Sequence, residues 1–411
     1  PVGTGIAGSR SSSGLSRGGL ARCCMTDNGV SGLAAVAFDI DGVFKYGREW
    51  SPDGYSALQR LAAANIPHVF VTNGGGGLTE KSYASGFAAK VTGAASNASD
   101  PAPLMSDENM ILSYSPWKRA LGAELANRRV LLVGDPYDKV TQVAESYGLR
   151  RAVHYQDYAR RHSTLNPFRQ AKEDGGSHTA VDNKTTGAMG SAQRSQQPPA
   201  ADADDTDPFA AVLVMCDPFE WFEALQCIVD ILCSPTPAIS EYDPSVPPVP
   251  VHFSNPDVLW KAQHPYPRFG QGAFKIALKA LYHTRLRSLR VPEETHDEMV
   301  ASSFRQWGKP TEATFRFLEE RLRAFASAPA AGGARAERFY MVGDNPASDI
   351  EGVRRANIFH KAKGNDTAWK GVLVKTGVYK DGDETNGATT VVAGVAEAVD
   401  WILACEREHA K

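Results

Sequence analysis

Three short apolar runs that stop at a polar residue constrain this chain more than anything else in it. Leu33 to Asp41 reads LAAVAFDID, Ile66 to Thr72 reads IPHVFVT, and Phe339 to Asp344 reads FYMVGD. A run with no polar face has no side it can turn to water, so it reads as a strand buried on both faces, as in parallel sheets. Between the first two runs, Asp53 to Ala64 carries Leu58 and Leu61 at helical spacing. Strand, helix, strand in this order is a βαβ unit, so the fold class is α/β. Open parallel sheets bind their ligands beyond the carboxyl ends of the strands. The carboxylates and the hydroxyl that close these runs stand at that edge.

The 411 residues are enough for two to three domains. Further strands are expected at Val130–Gly134, Ala211–Cys216 and Pro250–Phe253, with helices at Val140–Gly148, Glu220–Leu232 and Gln271–His283, which makes a second α/β layer. Later come a helix at Thr311–Phe325, a small-residue linker at Ala326–Ala336, a strand at Val372–Lys375 and a terminal helix at Val395–Glu408. Residues from about 166 to 207 are rich in Gly, Ser, Gln, Ala and Asp and read as a disordered insertion, because they cannot bury enough apolar surface. The first 26 residues hold Arg10, Arg17 and Arg22 and no acid, which reads as an organelle transit segment or a plain disordered tail. The net charge of −3 argues against a general nucleic-acid binder. No run of about 18 apolar residues is present, so no membrane span is expected. The six cysteines form no metal-binding pair and suit a reducing compartment.

Four separated pieces can carry chemistry. Asp39 and Asp41 lie two apart at the end of the first run, so both carboxylates can face one cleft. Thr72, Asn73 and the glycines from Gly74 to Gly77 offer a hydroxyl and backbone N–H groups of the kind that cradle a phosphate. They do not make a Walker-A loop, which ends in Gly-Lys-Ser/Thr. Lys309 is held between Gly308 and Pro310. Asp344 and Asp349 supply hard oxygen ligands at a strand end, which suits Mg²⁺. Each piece alone is also an ordinary feature: an acidic loop, a flexible turn, a surface lysine, a capped helix start. Together, in this order, they allow nucleophilic attack on phosphorus by one carboxylate, proton handling by a second, and charge neutralisation by a lysine and a metal.

The pieces FDIDGV (38–43), VTN (71–73), GKP (308–310) and GDNPASD (343–349) resemble the haloacid dehalogenase (HAD) superfamily of phosphatases. DGV followed by Gly47, the Asn255-Pro256-Asp257 turn and Gly270-x-Gly272 resemble its class IIA branch. Within that branch, VTNGGG, NPDVLW, PRFGQGAF, GDNPASDI and VLVKTGVY are most similar to the cat eye syndrome critical region protein 5 family. The resemblance implies a HAD-like doubly wound parallel-sheet core with an inserted α/β C2-type cap domain. The expected layout is a basic tail over 1–30, core over 31–112, cap over 113–300 with its insertion, and core again over 301–411.

By resemblance, Asp39 is the nucleophile and Asp41 the acid and base. Thr72, Asn73, Gly74 and Lys309 hold phosphate, and Asn255 and Asp257 face the cleft from the cap. Mg²⁺ is held by Asp39, the Asp41 carbonyl and Asp344, while Asp349 orients a water of that ion or braces the loop. The implied activity is Mg²⁺-dependent hydrolysis of a small phosphorylated metabolite. The competing reading is a low-activity mitochondrial interaction or scaffold protein of the same fold. A mitochondrial location is implied, with the cytoplasm as alternative, and a homodimer through the cap by analogy. A two-component receiver would need only about 120 residues and no cap.

Overall fold

The computed structural model describes residues 33–93, 104–162, 165–166, 207–234, 247–260, 264–327, 336–365, 367–409 and 411. The basic start, most of the low-complexity stretch and most of the 326–336 linker lie outside these residues. Two parallel sheets organise the rest. The first has six strands in the order β15-β14-β13-β1-β4-β5. These are β1 (Leu33–Phe38), β4 (His68–Val71), β5 (Met110–Ile111), β13 (Ala336–Gly343), β14 (Ala368–Val374) and β15 (Thr390–Val392). β1 sits between β4 and β13, with Phe38 in register with Phe70 on one side and Val342 on the other. Three neighbouring strands therefore end level, and Thr72, Asp39 and Asp344 follow them.

The second sheet is built from chain lying between β5 and β13. Its order is β12-β9-β8-β6-β7, all parallel. The strands are β6 (Val130–Val133), β7 (Ala152–His154), β8 (Ala211–Val214), β9 (Val251–Phe253) and β12 (Phe304–Gln306). β12 completes this sheet, so the second unit runs a few residues past the boundary expected at 300. Two small hairpins stand apart: β2 (Lys45–Tyr46) with β3 (Glu49–Trp50), and β10 (Leu259–Trp260) with β11 (Arg268–Phe269).

Alternation along the buried strands decides what each sheet touches. Val130, Leu132, Leu213 and Met215 join the same apolar cluster as Phe38, Phe70, Tyr114 and Trp117, so one core passes from the first unit into the second. Leu131, Val133, Val212 and Val214 point the other way, against the helices Trp221–Cys233 and Gln271–Ser288. Beneath the carboxyl edge of the first sheet, Phe44 packs edge-on against Phe38, Phe70 and Phe87, and Phe70 against Phe87, at centroid distances of 4.8–5.6 Å, while Phe38 and Phe70 are tilted at 6.3 Å. Burying each such ring is worth about 2–3 kcal/mol. That cluster fixes the chain just after Asp41, because Phe44 anchors the turn from below.

Candidate active site

The turn after β1 leaves Asp39 buried, with its Oδ1 accepting from the Ile40 N–H at 2.8 Å. Lys309 enters the same space from the loop that leaves the second sheet. Its ammonium lies 2.8 Å from Asp39 Oδ1 and 2.8 Å from Asp349 Oδ1, and donates to the Val71 carbonyl at 3.3 Å. The ammonium is thus surrounded by three oxygens of the site. Asp344 Oδ2 accepts from the Val378 N–H at 2.6 Å, and Asp349 Oδ2 from the Asn345 N–H at 3.1 Å. One oxygen each of Asp39, Asp344 and Asp349 lies within 4.8 Å of the others.

Glycines make this crowding sterically possible. A Cβ on Gly42 would stand 2.2 Å from Asp344 Cγ, one on Gly343 2.2 Å from Asp349 Cγ, and one on Gly377 1.9 Å from Asp344 Oδ2. The sequence shows these glycines, but their meaning lies in what they approach.

The electrostatics follow from three buried carboxylates facing one ammonium. Burial raises the Asp39 pKa well above the usual range; Lys309 opposes this, and Asp349 and Asp344 add to it. Burial and the charge of Asp349 push Asp344 up to about 7. Burial alone would depress Lys309, but the carboxylates of Asp349 and Asp39 outweigh it and keep the ammonium charged. The excess negative charge and the all-oxygen donor set fit a hard divalent cation.

The other expected residues meet here with distinct tasks. Thr72 is buried, and its Oγ1 accepts from the Gly74 N–H at 2.9 Å. That N–H is therefore spent within the turn, unlike the open phosphate cradle expected from the glycines. Gly75 and Leu78 instead offer their carbonyls to the Tyr114 hydroxyl at 3.2 and 2.6 Å. A Cβ on Gly77 would meet Val140 and Cys216 of the second unit at 3.1 and 3.4 Å. The glycine turn is a seat for the second unit as much as an edge of the cleft.

Asn73 is a brace: its Oδ1 accepts from the Lys309 N–H at 2.7 Å, and its Nδ2 donates to the Lys309 carbonyl at 2.9 Å and to Asp257 Oδ1 at 3.2 Å. Asn255 Oδ1 accepts from the Asp257 N–H at 2.8 Å, so it shapes its own turn. Asp257 sits over the site with its pKa pushed up to about 6 by burial, against the opposing pull of Lys309.

Asp41 alone turns outward. Its side chain is 57% exposed, and its Oδ1 is 2.9 Å from the Lys45 ammonium. Three residues near the cleft had no sequence signal. Lys45 lies in a two-residue strand too short to show a period. Tyr83, on the helix Glu80–Gly93, hydrogen-bonds the Thr72 side chain; burial and then the charges of Asp41 and Asp39 raise its pKa, so it stays protonated. Asp217 follows β8, and burial, with Asp257 nearby, pushes it up to about 6.

Known proteins resemble the chain at both levels. A family model described as haloacid dehalogenase-like hydrolase matches residues 36–150, and a HAD-hydrolase-like model matches residues 306–398. A mitochondrial hydrolase of Saccharomyces cerevisiae is 30% identical over 397 residues, covering 90% of this chain and 95% of its own. A cardiolipin synthase (CMP-forming)/mitochondrial hydrolase fusion protein of Schizosaccharomyces pombe is 27% identical over 373 residues, which are 89% of this chain and 52% of that one. In fold, the p-nitrophenyl phosphatase of Archaeoglobus fulgidus aligns with a TM-score of 0.51 at 15% identity, over 89% of this chain and 98% of that one. The 4-nitrophenylphosphatase of Thermotoga maritima aligns with a TM-score of 0.52 at 15% identity, over 90% and 97%. With its acid-ended strands, its buried lysine and these relatives in agreement, the chain belongs to the haloacid dehalogenase-like hydrolases.

Proposed function

We propose that this hydrolase is a phosphatase that cleaves a small phosphomonoester through an aspartyl-phosphate on Asp39. The observation that carries this reading is Lys309, buried between Asp39 and Asp349 at 2.8 Å from each. A buried lysine and its carboxylates, taken as a set, meet no structural need that apolar side chains in all their places would not meet more cheaply, whereas a dianionic phosphoryl group beside a carboxylate nucleophile does need the ammonium. Two fold neighbours named as nitrophenyl phosphatases agree with it.

Lys309 and Thr72 hold the phosphoryl oxygens. An Asp39 carboxylate oxygen bonds to phosphorus as the ester P–O bond breaks, and Asp41 gives its proton to the departing oxygen. Water then attacks phosphorus, Asp41 takes a proton from it, and Asp39 leaves as carboxylate with inorganic phosphate. The residues that would hold Mg²⁺ are Asp39, the Asp41 backbone carbonyl, Asp344 and Asp349. A bound Mg²⁺ supplies the positive charge that offsets the repulsion between phosphate and nucleophile, about 4 kcal/mol at 4 Å and an effective dielectric of 20.

The second unit, seated closely on the glycine turn at Gly77, supports small substrates over phosphoproteins. The acid-free basic start and the name of the yeast relative support a mitochondrial location. Among the described residues, no helix is long and apolar enough to cross a membrane.

The test is hydrolysis of p-nitrophenyl phosphate by the wild type and Asp39→Asn, with Mg²⁺ or with chelator. Turnover that needs the metal and drops by about a thousandfold or more in the variant supports the reading. Undiminished turnover in Asp39→Asn contradicts it.

A further inference from the structure

Asp41, unlike its neighbour Asp39, does not join the buried cluster, and what holds it is unusual in its geometry. Lys45 is four residues further on, yet no helix joins them. The chain doubles back: the N–H groups of Val43, Phe44 and Lys45 all point at the Ile40 carbonyl, at 3.3, 2.9 and 3.2 Å, and the Gly42 N–H donates to the Lys45 carbonyl at 2.8 Å. Asp41 and Lys45 therefore lie side by side as a bridge. Gly47, with φ at +66°, turns the chain back as β3, and Lys45 pairs with Trp50. Phe44 is fully buried beneath this turn. The lysine backbone is thus fixed on both sides, and little more than its side chain is free.

The two oxygens of Asp41 face different things. Oδ1 is held by Lys45 at 2.9 Å. Oδ2 faces Gly74, about whose Cβ position it lies at 4.0 Å, and Thr72 Oγ1 lies 3.2 Å from the same point. The free oxygen is therefore the one beside the phosphoryl-binding hydroxyl. We propose that Lys45 is a positioning residue that holds Asp41 by Oδ1 so that Oδ2 is presented to the leaving-group oxygen. The inference rests on the phosphatase reading above and adds to it the residue that aims the acid. Lys45 itself touches no reacting atom.

Leaving groups separate this role from a plain surface ion pair. Nitrophenolate departs without a proton, whereas an alkoxide must receive one as the P–O bond breaks. Both substrates share the nucleophile, the lysine and the threonine, so only the alkyl ester reads how well Asp41 is aimed. An exposed ion pair is worth at most a modest factor, so loss of Lys45 should lower kcat/KM for propyl phosphate by about three- to fivefold. For p-nitrophenyl phosphate, kcat/KM should stay within about twofold of the wild type.

The experiment measures kcat/KM for both esters, in Mg²⁺, for the wild type, Lys45→Met and Lys45→Arg. The expected result is a selective fall for the alkyl ester in the Met variant and recovery in the Arg variant, whose charge can reach the same oxygen. An unchanged alkyl-to-aryl ratio in Lys45→Met overturns the inference, and so does an Arg variant as impaired as Met. A folded wild type that hydrolyses neither ester removes the phosphatase reading itself, and the role of Lys45 falls with it.

Discussion

Replacing Gly343 with alanine tests whether the carboxylates are as tightly placed as they look. A Cβ there would lie 2.2 Å from both Asp349 Cγ and Asp349 Oδ2, far inside an ordinary contact. Asp349 would have to withdraw by about 1 Å or more to reach van der Waals distance. It is tied to Lys309 at 2.8 Å and to the Asn345 N–H at 3.1 Å, so it cannot move freely. At an effective dielectric of 20, the pair is worth about 6 kcal/mol at its present distance and about 4.5 kcal/mol if it opens by about 1 Å. Adding an overpacking cost of about 1–3 kcal/mol to that difference gives a total loss of stability of about 2.5–4.5 kcal/mol. Displacing the brace of Lys309 by that distance should lower kcat/KM by about ten- to a hundredfold.

Urea unfolding and p-nitrophenyl phosphate hydrolysis read the two effects. Gly86→Ala is the control, because a Cβ there meets nothing within 4 Å in the helix Glu80–Gly93. It should gain about 0.5–1 kcal/mol and keep full activity. A Gly343→Ala protein as stable and as active as the wild type would refute the packing argument.

Two further outcomes follow from buried charge. Lys309→Met leaves Asp39, Asp344 and Asp349 facing one another without their cation, so it should abolish measurable hydrolysis and cost about 3–5 kcal/mol in chelator by urea titration; retention of more than about a tenth of the activity would count against the role given to it. His252, on β9, accepts from Trp307 Nε1 at 3.1 Å, and burial, helped by Arg305, pushes its pKa down to about 4. Its folded value lies below its ordinary 6.5, so the unfolded chain takes the proton first. The stability it confers is complete above about pH 6.5 and is lost as the pH falls toward 4, by on the order of 3 kcal/mol. Urea midpoints of wild type and His252→Asn between pH 7 and 4.5 should converge; parallel curves would mean that His252 is not held neutral.

The sheet that carries the site could be read from the sequence because its strands announce themselves. Runs such as VAF before Asp39 and MVG before Asp344 are apolar throughout, and a carboxylate at their end has no buried partner in the strand. The edge strands β7 and β12 of the second sheet and β15 of the first have three residues each and carry no period, so the extent of neither sheet is readable from the sequence. Taken alone Lys309 reads as a surface lysine, since lysines are seldom buried, and the resemblance puts it beside the phosphate and Asp39; what the fold adds is its burial against Asp349. The glycine run reads as a phosphate cradle or a flexible turn, and its packing against Tyr114 and Val140 leaves no trace in the sequence. Asn73 was placed in the site by its neighbour Thr72, while its bracing of Lys309 spans 236 residues and leaves no local trace.

The covalent intermediate is the most direct test. The wild type is mixed with p-nitrophenyl phosphate and Mg²⁺, quenched in acid within milliseconds, and digested for mass spectrometry. The account predicts one phosphoryl group on the peptide carrying Asp39, on the carboxylate itself, and none in Asp39→Asn. Turnover with the label on another residue, or with no label at any quench time, would contradict it.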